Sequence, residues 1–258
     1  MQVMIGIVTA SYNSEETITD TLDSIHSQTY QNFHHLVVDG LSSDNTINIV
    51  NQYSKKKCTV LSASDDGIYD AMNKGLLSSK GDVIGFLNSD DMYANEDALS
   101  KIATIFEDPN VDACYGDLVY VNYANTKILR YWRSGIFKYG KFSKGWCPPH
   151  PTFYVRRSIV KKYGLFNLKY NLAADAEYMI RLLEVNKINV EYIPRILVRM
   201  RVGGATSKNL TNILKQNLEI FSALRANNIA YSFPNFIVIK ILSRCRQFFL
   251  RHNRYESE

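Results

Sequence analysis

"VMIGIVTASYNSEETITDTLDSIHSQTYQNFHHLVVDG" (residues 3–40) begins with one β-branched apolar run and closes with another. Between them "SEETITDTLDSIHSQ" carries Ile18, Leu22 and Ile25 at helical spacing, so the stretch reads as strand, helix, strand. Ser14, just ahead of Glu15 and Glu16, is the expected N-cap. The alternation continues through a helix in "DNTINIVNQYSKK" (44–56), a strand in "KCTVLSA" (57–63), a helix in "GIYDAMNKGLLSS" (67–79) and a strand in "DVIGFLN" (82–88). It predicts an α/β, Rossmann-like fold: a mainly parallel central sheet flanked by helices, with ligands gathering at the strands' carboxyl ends. "DACYGDLVYVN" (112–122) extends the sheet, and "KILRYWRSG" (127–135) reads as its hairpin partner.

The chain has 258 residues, 46% of them hydrophobic, enough for one large domain with an appendix. Its formal charge of +5 suits anionic substrates but is too modest to indicate nucleic acid. Cys58, Cys114, Cys147 and Cys245 are far apart, which suggests neither a disulfide framework nor a zinc knuckle. "MQVMIGIVTASYN" has no basic leader and its apolar run stops at Thr9, so a cytoplasmic protein is expected. A boundary is expected near Ala205–Asn209, separating a domain over 1–204 from a helical extension over 205–258.

Four strand ends place polar residues where such a sheet binds ligands. They are Thr9, Tyr12 and Asn13; Asp39; Asp65 and Asp66; and Asn88 to Asp91. Each alone reads more readily as a cap or a turn than as a site, and Asp90 and Asp91 could simply cap a helix beginning near Asn95. Their convergence is the signal.

These stretches, with "HPTFYVRRS" (150–158) and "LAADAEYMIRLL" (172–183), resemble the family 2 glycosyltransferases of the GT-A fold over about the first 200 residues. The resemblance is strongest to bacterial enzymes of surface and capsular polysaccharides, including the colanic-acid type. It implies that Thr9, Tyr12, Asn13 and Asp39 hold the base and ribose of a nucleotide-sugar donor. Asp39 accepts an N–H of uracil or guanine, with a UDP-sugar favoured over a GDP-sugar. It implies too that Asp66, Asn73 and Lys74 line the donor site, Lys74 as a charge for phosphate. Asn88-Ser89-Asp90-Asp91 takes the place of the metal motif, with Asp90 and Asp91 holding Mg²⁺ or Mn²⁺ and Asn88 where an Asp is frequent.

By the same resemblance Asp175 is the base that takes the acceptor's proton, although Ala174 stands where an acid is usual. Glu177, two positions on, does not share its helix face. His150 and Trp146 are candidates for acceptor contact, each with a plain structural alternative. In "RILVRMRVGGATS" (195–207), Arg199 and Arg201 either reach the diphosphate or line the wet face of an edge strand.

"SFPNFIVIKILSRCRQFFLRHNR" (232–254) reads as a helix capped by Ser232, with Pro234 in its first turn. It mixes apolar and basic residues and contains no acid. It is either a helix on an anionic membrane at the inner face of the plasma membrane or one docked on the domain. The resulting expectation is an inverting, metal-dependent transfer from a nucleoside-diphosphate sugar to a glycan or lipid-linked acceptor. A nucleotidyltransferase or phosphohydrolase, and a silent nucleotide- or glycan-binding module, are the alternatives.

Overall fold

The computed structural model describes residues 2–53, 57–203 and 210–249. The first half follows the expected alternation, strand by strand. β1 (Ile5–Ser11), α1 (Ile18–His26), β2 (Phe33–Asp39), α2 (Thr46–Gln52), β3 (Cys58–Ser62), α3 (Ile68–Ser78) and β4 (Val83–Phe86) occur in that order. β1 lies between β2 and β4, and β3 flanks β2, all parallel. α1 buries Ile18, Leu22 and Ile25, the residues whose spacing predicts it. Residues 54–56, which end the second expected helix, lie outside the described residues.

The other half of the sheet is mixed. It contains β5 (Met92–Tyr93), β6 (Ala113–Val121), β7 (Ile128–Trp132), β8 (Tyr154–Arg156) and β9 (Val190–Arg201). The sheet order is β3-β2-β1-β4-β8-β6-β9-β5, with β7 on β6. β6 and β9 are parallel, whereas β4–β8, β6–β8, β6–β7 and β5–β9 are antiparallel. The expected parallel arrangement therefore holds for β1 to β4, and antiparallel neighbours dominate the rest. β9 is an interior strand, not an edge. It accommodates Pro194 where the register against β6 shifts between Tyr115 and Asp117.

α4 (Ala98–Ile105), α5 (Arg157–Tyr163) and α6 (Ala174–Ile180), which continues as one π-turn through Val185, cover the sheet. α7 (Leu210–Ala226) and α8 (Phe233–Phe249) follow. The expected boundary at 205–209, and the tail beyond 249, lie outside the described residues. α7 packs on α6, and Phe221, Leu224 and Phe236 join the main core with Tyr178 and Met179. No helix among the described residues is long and apolar enough to cross a membrane.

Candidate functional site

The turn after β4 is built from below by α1. Thr17 Oγ1 donates to the Ser89 carbonyl at 2.9 Å, and Thr21 Oγ1 to the Asp91 carbonyl at 2.7 Å. Ser14 does not cap α1, whose first turn begins at Ile18. Its carbonyl accepts the N–H groups of Thr17 and Ile18, and its hydroxyl meets that of Ser89 at 2.8 Å. Ser14, Thr17 and Thr21 escape the sequence reading as site builders; the signal available was a pair of threonines four apart on the buried face at the start of α1.

Held in that turn, Asp91 is fully buried, and neither of its carboxylate oxygens has a hydrogen-bond partner among the described residues. Asn88 Oδ1 is also buried and unpartnered among them. Burial, then the neighbouring Asp90 charge, pushes the Asp91 carboxyl well above its ordinary range. Burial raises that of Asp90 too, partly offset by Arg201. Neither aspartate caps α4, which starts at Ala98 with Asp97 in the capping position. Buried carboxylate and amide oxygens without donors are a set that a hard divalent cation satisfies, so the residues fit Mg²⁺ or Mn²⁺.

Asp39 is fully buried and already holds four donors. Its oxygens accept from Ser11 Oγ (3.1 Å), Ser42 Oγ (2.5 Å), Ser42 N–H (2.9 Å) and Ser62 Oγ (3.3 Å). Register explains this, because Asp39 faces Ser11 on one side and Ser62 on the other. Thr9 is also buried, bonded to His35 Nε2 at 2.9 Å, and so lies beneath the site. Asn13, at φ +47°, ties the first loop to the second by accepting Ser43 N–H at 2.9 Å. Tyr12, 66% exposed, is the open aromatic of this group. It borders Gly40, where an added Cβ would stand 2.7 Å from an Asp65 carboxylate oxygen. Asp65, not Asp66, thus leans over the end of β2; Asp66 is exposed, with its N–H on Asp70.

Several residues expected to contact ligand have partners within the protein. Asn73 is buried and exchanges two hydrogen bonds with the Phe166 backbone, at 3.0 and 2.9 Å. Lys74 pairs with Asp70 at 2.8 Å. Glu177 is buried against Arg181 at 3.0 Å, which agrees with its facing away from Asp175. Arg199 bonds the Asn125 side chain and carbonyl. Arg201 is buried and ion-paired to Asp20, and it donates to the Asp90 carbonyl at 3.0 Å and the Tyr123 carbonyl at 2.8 Å. It braces the aspartate turn from inside the protein.

Asp175 sits in the first turn of α6, half-buried, its Oδ1 accepting from Tyr69 OH at 2.9 Å. His150 lies within its electrostatic reach, but burial against Phe86 and Phe166 lowers the imidazole's pKa and favours the neutral ring. Trp146 donates to the Ser134 carbonyl at 2.8 Å and packs edge-on against Tyr115 and Phe142. A further residue has no forewarning in the sequence: Glu219 of α7 accepts the N–H groups of Asn171, Leu172 and Ala173 and so caps α6. A separate cleft of about 870 Å³ lies between α8, residues 133–141 and the start of β9, and neither Asp39 nor Asp91 lines it.

Comparison with known proteins agrees with this geometry. The family "Glycosyl transferase family 2" fits residues 6–164. A PGL/p-HBAD biosynthesis glycosyltransferase of Mycobacterium tuberculosis is 27% identical over 215 residues, 81% of each chain. The Escherichia coli protein WfgD, a UDP-Glc:alpha-D-GlcNAc-diphosphoundecaprenol beta-1,3-glucosyltransferase, is 26% identical over 242 residues, 92% of this chain and 94% of that one. Among solved structures, S. aureus TarS 1–349 with UDP-GlcNAc superposes with a TM-score of 0.67 at 17% identity, covering 97% of this chain and 74% of that one. A Pyrobaculum calidifontis mannosyltransferase with GDP-Man and Mn²⁺ gives 0.61 at 17% identity, covering 94% and 80%.

Proposed function

The chain belongs to glycosyl transferase family 2 and is a glycosyltransferase of the GT-A fold, and from that premise we propose that it transfers a sugar, with inversion and with a divalent metal, from a nucleoside-diphosphate donor to a glycan or lipid-linked acceptor in surface polysaccharide biosynthesis. The observation that carries the reading is the buried, unpartnered carboxylate of Asp91 just after β4, at the same end of the parallel strands as Asp39.

Asp91, with Asp90 and Asn88 Oδ1, holds Mn²⁺ or Mg²⁺, which when bound neutralises the charge that builds on the departing diphosphate. Tyr12 covers the base. Asp39 accepts an N–H of uracil, or of guanine, in exchange for one of its serine hydroxyls. Asp175, with Oδ1 fixed by Tyr69, offers Oδ2 to the acceptor hydroxyl. As the acceptor's hydroxyl oxygen bonds to the anomeric carbon, its proton passes to Asp175. The bond from carbon to the phosphate oxygen breaks, and the nucleoside diphosphate leaves with the electron pair. Arg201 and Glu219 act at one remove, fixing the aspartate turn and the helix of the base.

UDP-bearing and GDP-bearing structural neighbours, and a relative named for a diphosphoundecaprenol-linked acceptor, support these kinds of partner. The test is a panel of UDP- and GDP-sugars with Mn²⁺ or Mg²⁺. Slow release of nucleoside diphosphate, abolished by chelator, is expected; release of monophosphate or pyrophosphate, or binding without turnover, would overturn the reading.

A further inference from the structure

Helix α8 sets Phe236 and Ile237 on the core but carries cations further along the same side. Phe236, Lys240, Arg244 and Gln247 face the domain, at spacings of four, four and three, while Val238, Ile241, Leu242 and Phe248 on the other side are each more than half exposed. A helix that only completes a core presents the reverse pattern.

The inward cations form a row along the helix. Lys240 lies over the Phe236 ring, donates to Asn217 Oδ1 at 2.6 Å and stands within electrostatic reach of Asp175 and Cys147. Burial, then Arg244, lowers its pKa to about 8. α8 packs on β7, and Arg244, one turn on, is within electrostatic reach of Arg130 there; the Arg130 guanidinium lies 3.8 Å from the centre of the Tyr120 ring. Arg130 Nε is buried and has no hydrogen-bond partner among the described residues. None of the three cations forms an ion pair among those residues. Like charges brought together away from water, with a donor left over, are costly unless an anion completes them.

The row begins at Asn217 of α7, two residues from the Glu219 that caps the helix of Asp175, the proposed base, and it lies on a helix whose opposite face is an apolar stripe. A water-soluble neutral acceptor uses neither feature. An amphiphile with an anionic head uses both, because its phosphate meets the cations and its hydrocarbon lies on the side of the stripe. We propose that Lys240 and Arg244, with Arg130, bind the phosphate of a lipid-carried acceptor, and that the outer stripe of α8 rests on the lipid surface from which that acceptor projects. This rests on the glycosyltransferase reading of Asp175, and it gives the C-terminal helix a direct part in choosing the acceptor class.

The test uses the full chain with UDP and Mg²⁺ at saturation and follows tryptophan fluorescence, because the Trp132 ring lies 5.8 Å from the Arg130 guanidinium and reports on its surroundings. Farnesyl diphosphate, farnesol and inorganic diphosphate are the probes. Farnesyl diphosphate is expected to bind at least about tenfold tighter than either of the others. Lys240→Gln with Arg244→Gln should remove that preference while leaving UDP binding intact, and Lys240→Arg with Arg244→Lys should keep it. Equal binding of farnesol overturns the phosphate site, and equal binding of inorganic diphosphate overturns the lipid source. Farnesyl diphosphate that binds the UDP-free protein but not the UDP-saturated one assigns the cations to the donor and also overturns the proposal. Failure of UDP to bind at all would instead sink the nucleotide-sugar reading on which it stands.

Discussion

Glu219 holds the amino end of the helix that carries the proposed base: its Oε2 accepts the N–H of Ala173 at 2.9 Å, two residues before Asp175. A carboxylate on α7 thereby satisfies three backbone donors at the start of α6, and complements its dipole. Glu219→Ala is expected to cost about 1–2 kcal/mol of stability, as loss of a strong cap does, and to lower kcat more than it raises the donor KM. Thermal melts and steady-state kinetics on the same preparation check both; an unchanged melt would mean that the contact contributes nothing.

Removing the hydroxyl that fixes Asp175 is a milder change. Tyr69→Phe should keep the fold and donor affinity and reduce kcat by about tenfold, the scale of one lost positioning hydrogen bond. Asp175→Asn, which removes the proposed base, should reduce transfer by about 10²–10⁴-fold. The ratio of the two, measured as nucleoside diphosphate release with acceptor present, separates positioning from chemistry.

Arg201 reaches the turn proposed to hold the metal through the Asp90 carbonyl. Arg201→Gln is expected to weaken Mn²⁺ binding by about 10–100-fold, as loss of an outer partner of a metal site does, measured by Mn²⁺ titration of the rate. Arg199→Gln, which removes hydrogen bonds to the Asn125 side chain and carbonyl, should leave that affinity unchanged.

Asp91 gives a pH dependence with a definite sign. Its carboxyl is raised above the ordinary value of 3.8, so the folded protein holds the proton more tightly than the unfolded chain does. In metal-free protein this favourable contribution is complete below about pH 4 and is lost as pH rises through the raised folded value. Denaturant titrations with chelator should therefore show Asp91→Asn more stable than wild type at about pH 8, with the gap closing toward about pH 4. A gap of the opposite sign would mean that the carboxylate is satisfied within the protein.

Much of the half built from β1 to β4 was legible in the sequence because its signals are local. The spacing of Ile18, Leu22 and Ile25, and the polar strand ends at Asp39 and Asp91, need no knowledge of distant partners. What escaped is tertiary. Asn73 looks like a ligand contact until Phe166, 93 positions away, takes both ends of its amide. Arg201 looks free until Asp20 and the Asp90 carbonyl claim it, and Glu219 carries no local mark of the helix it caps. The pairing of β6 with β9 is equally non-local, which is why a mainly parallel sheet was expected where half of it is mixed.

The most direct measurement is Mn²⁺ binding, followed by electron paramagnetic resonance, in wild type and Asp91→Asn with and without UDP. Wild type should take up one Mn²⁺ more tightly when UDP is present, and Asp91→Asn should lose that uptake while remaining folded. Undiminished UDP-dependent Mn²⁺ uptake by the folded Asp91→Asn protein would contradict the assignment of the metal to this turn.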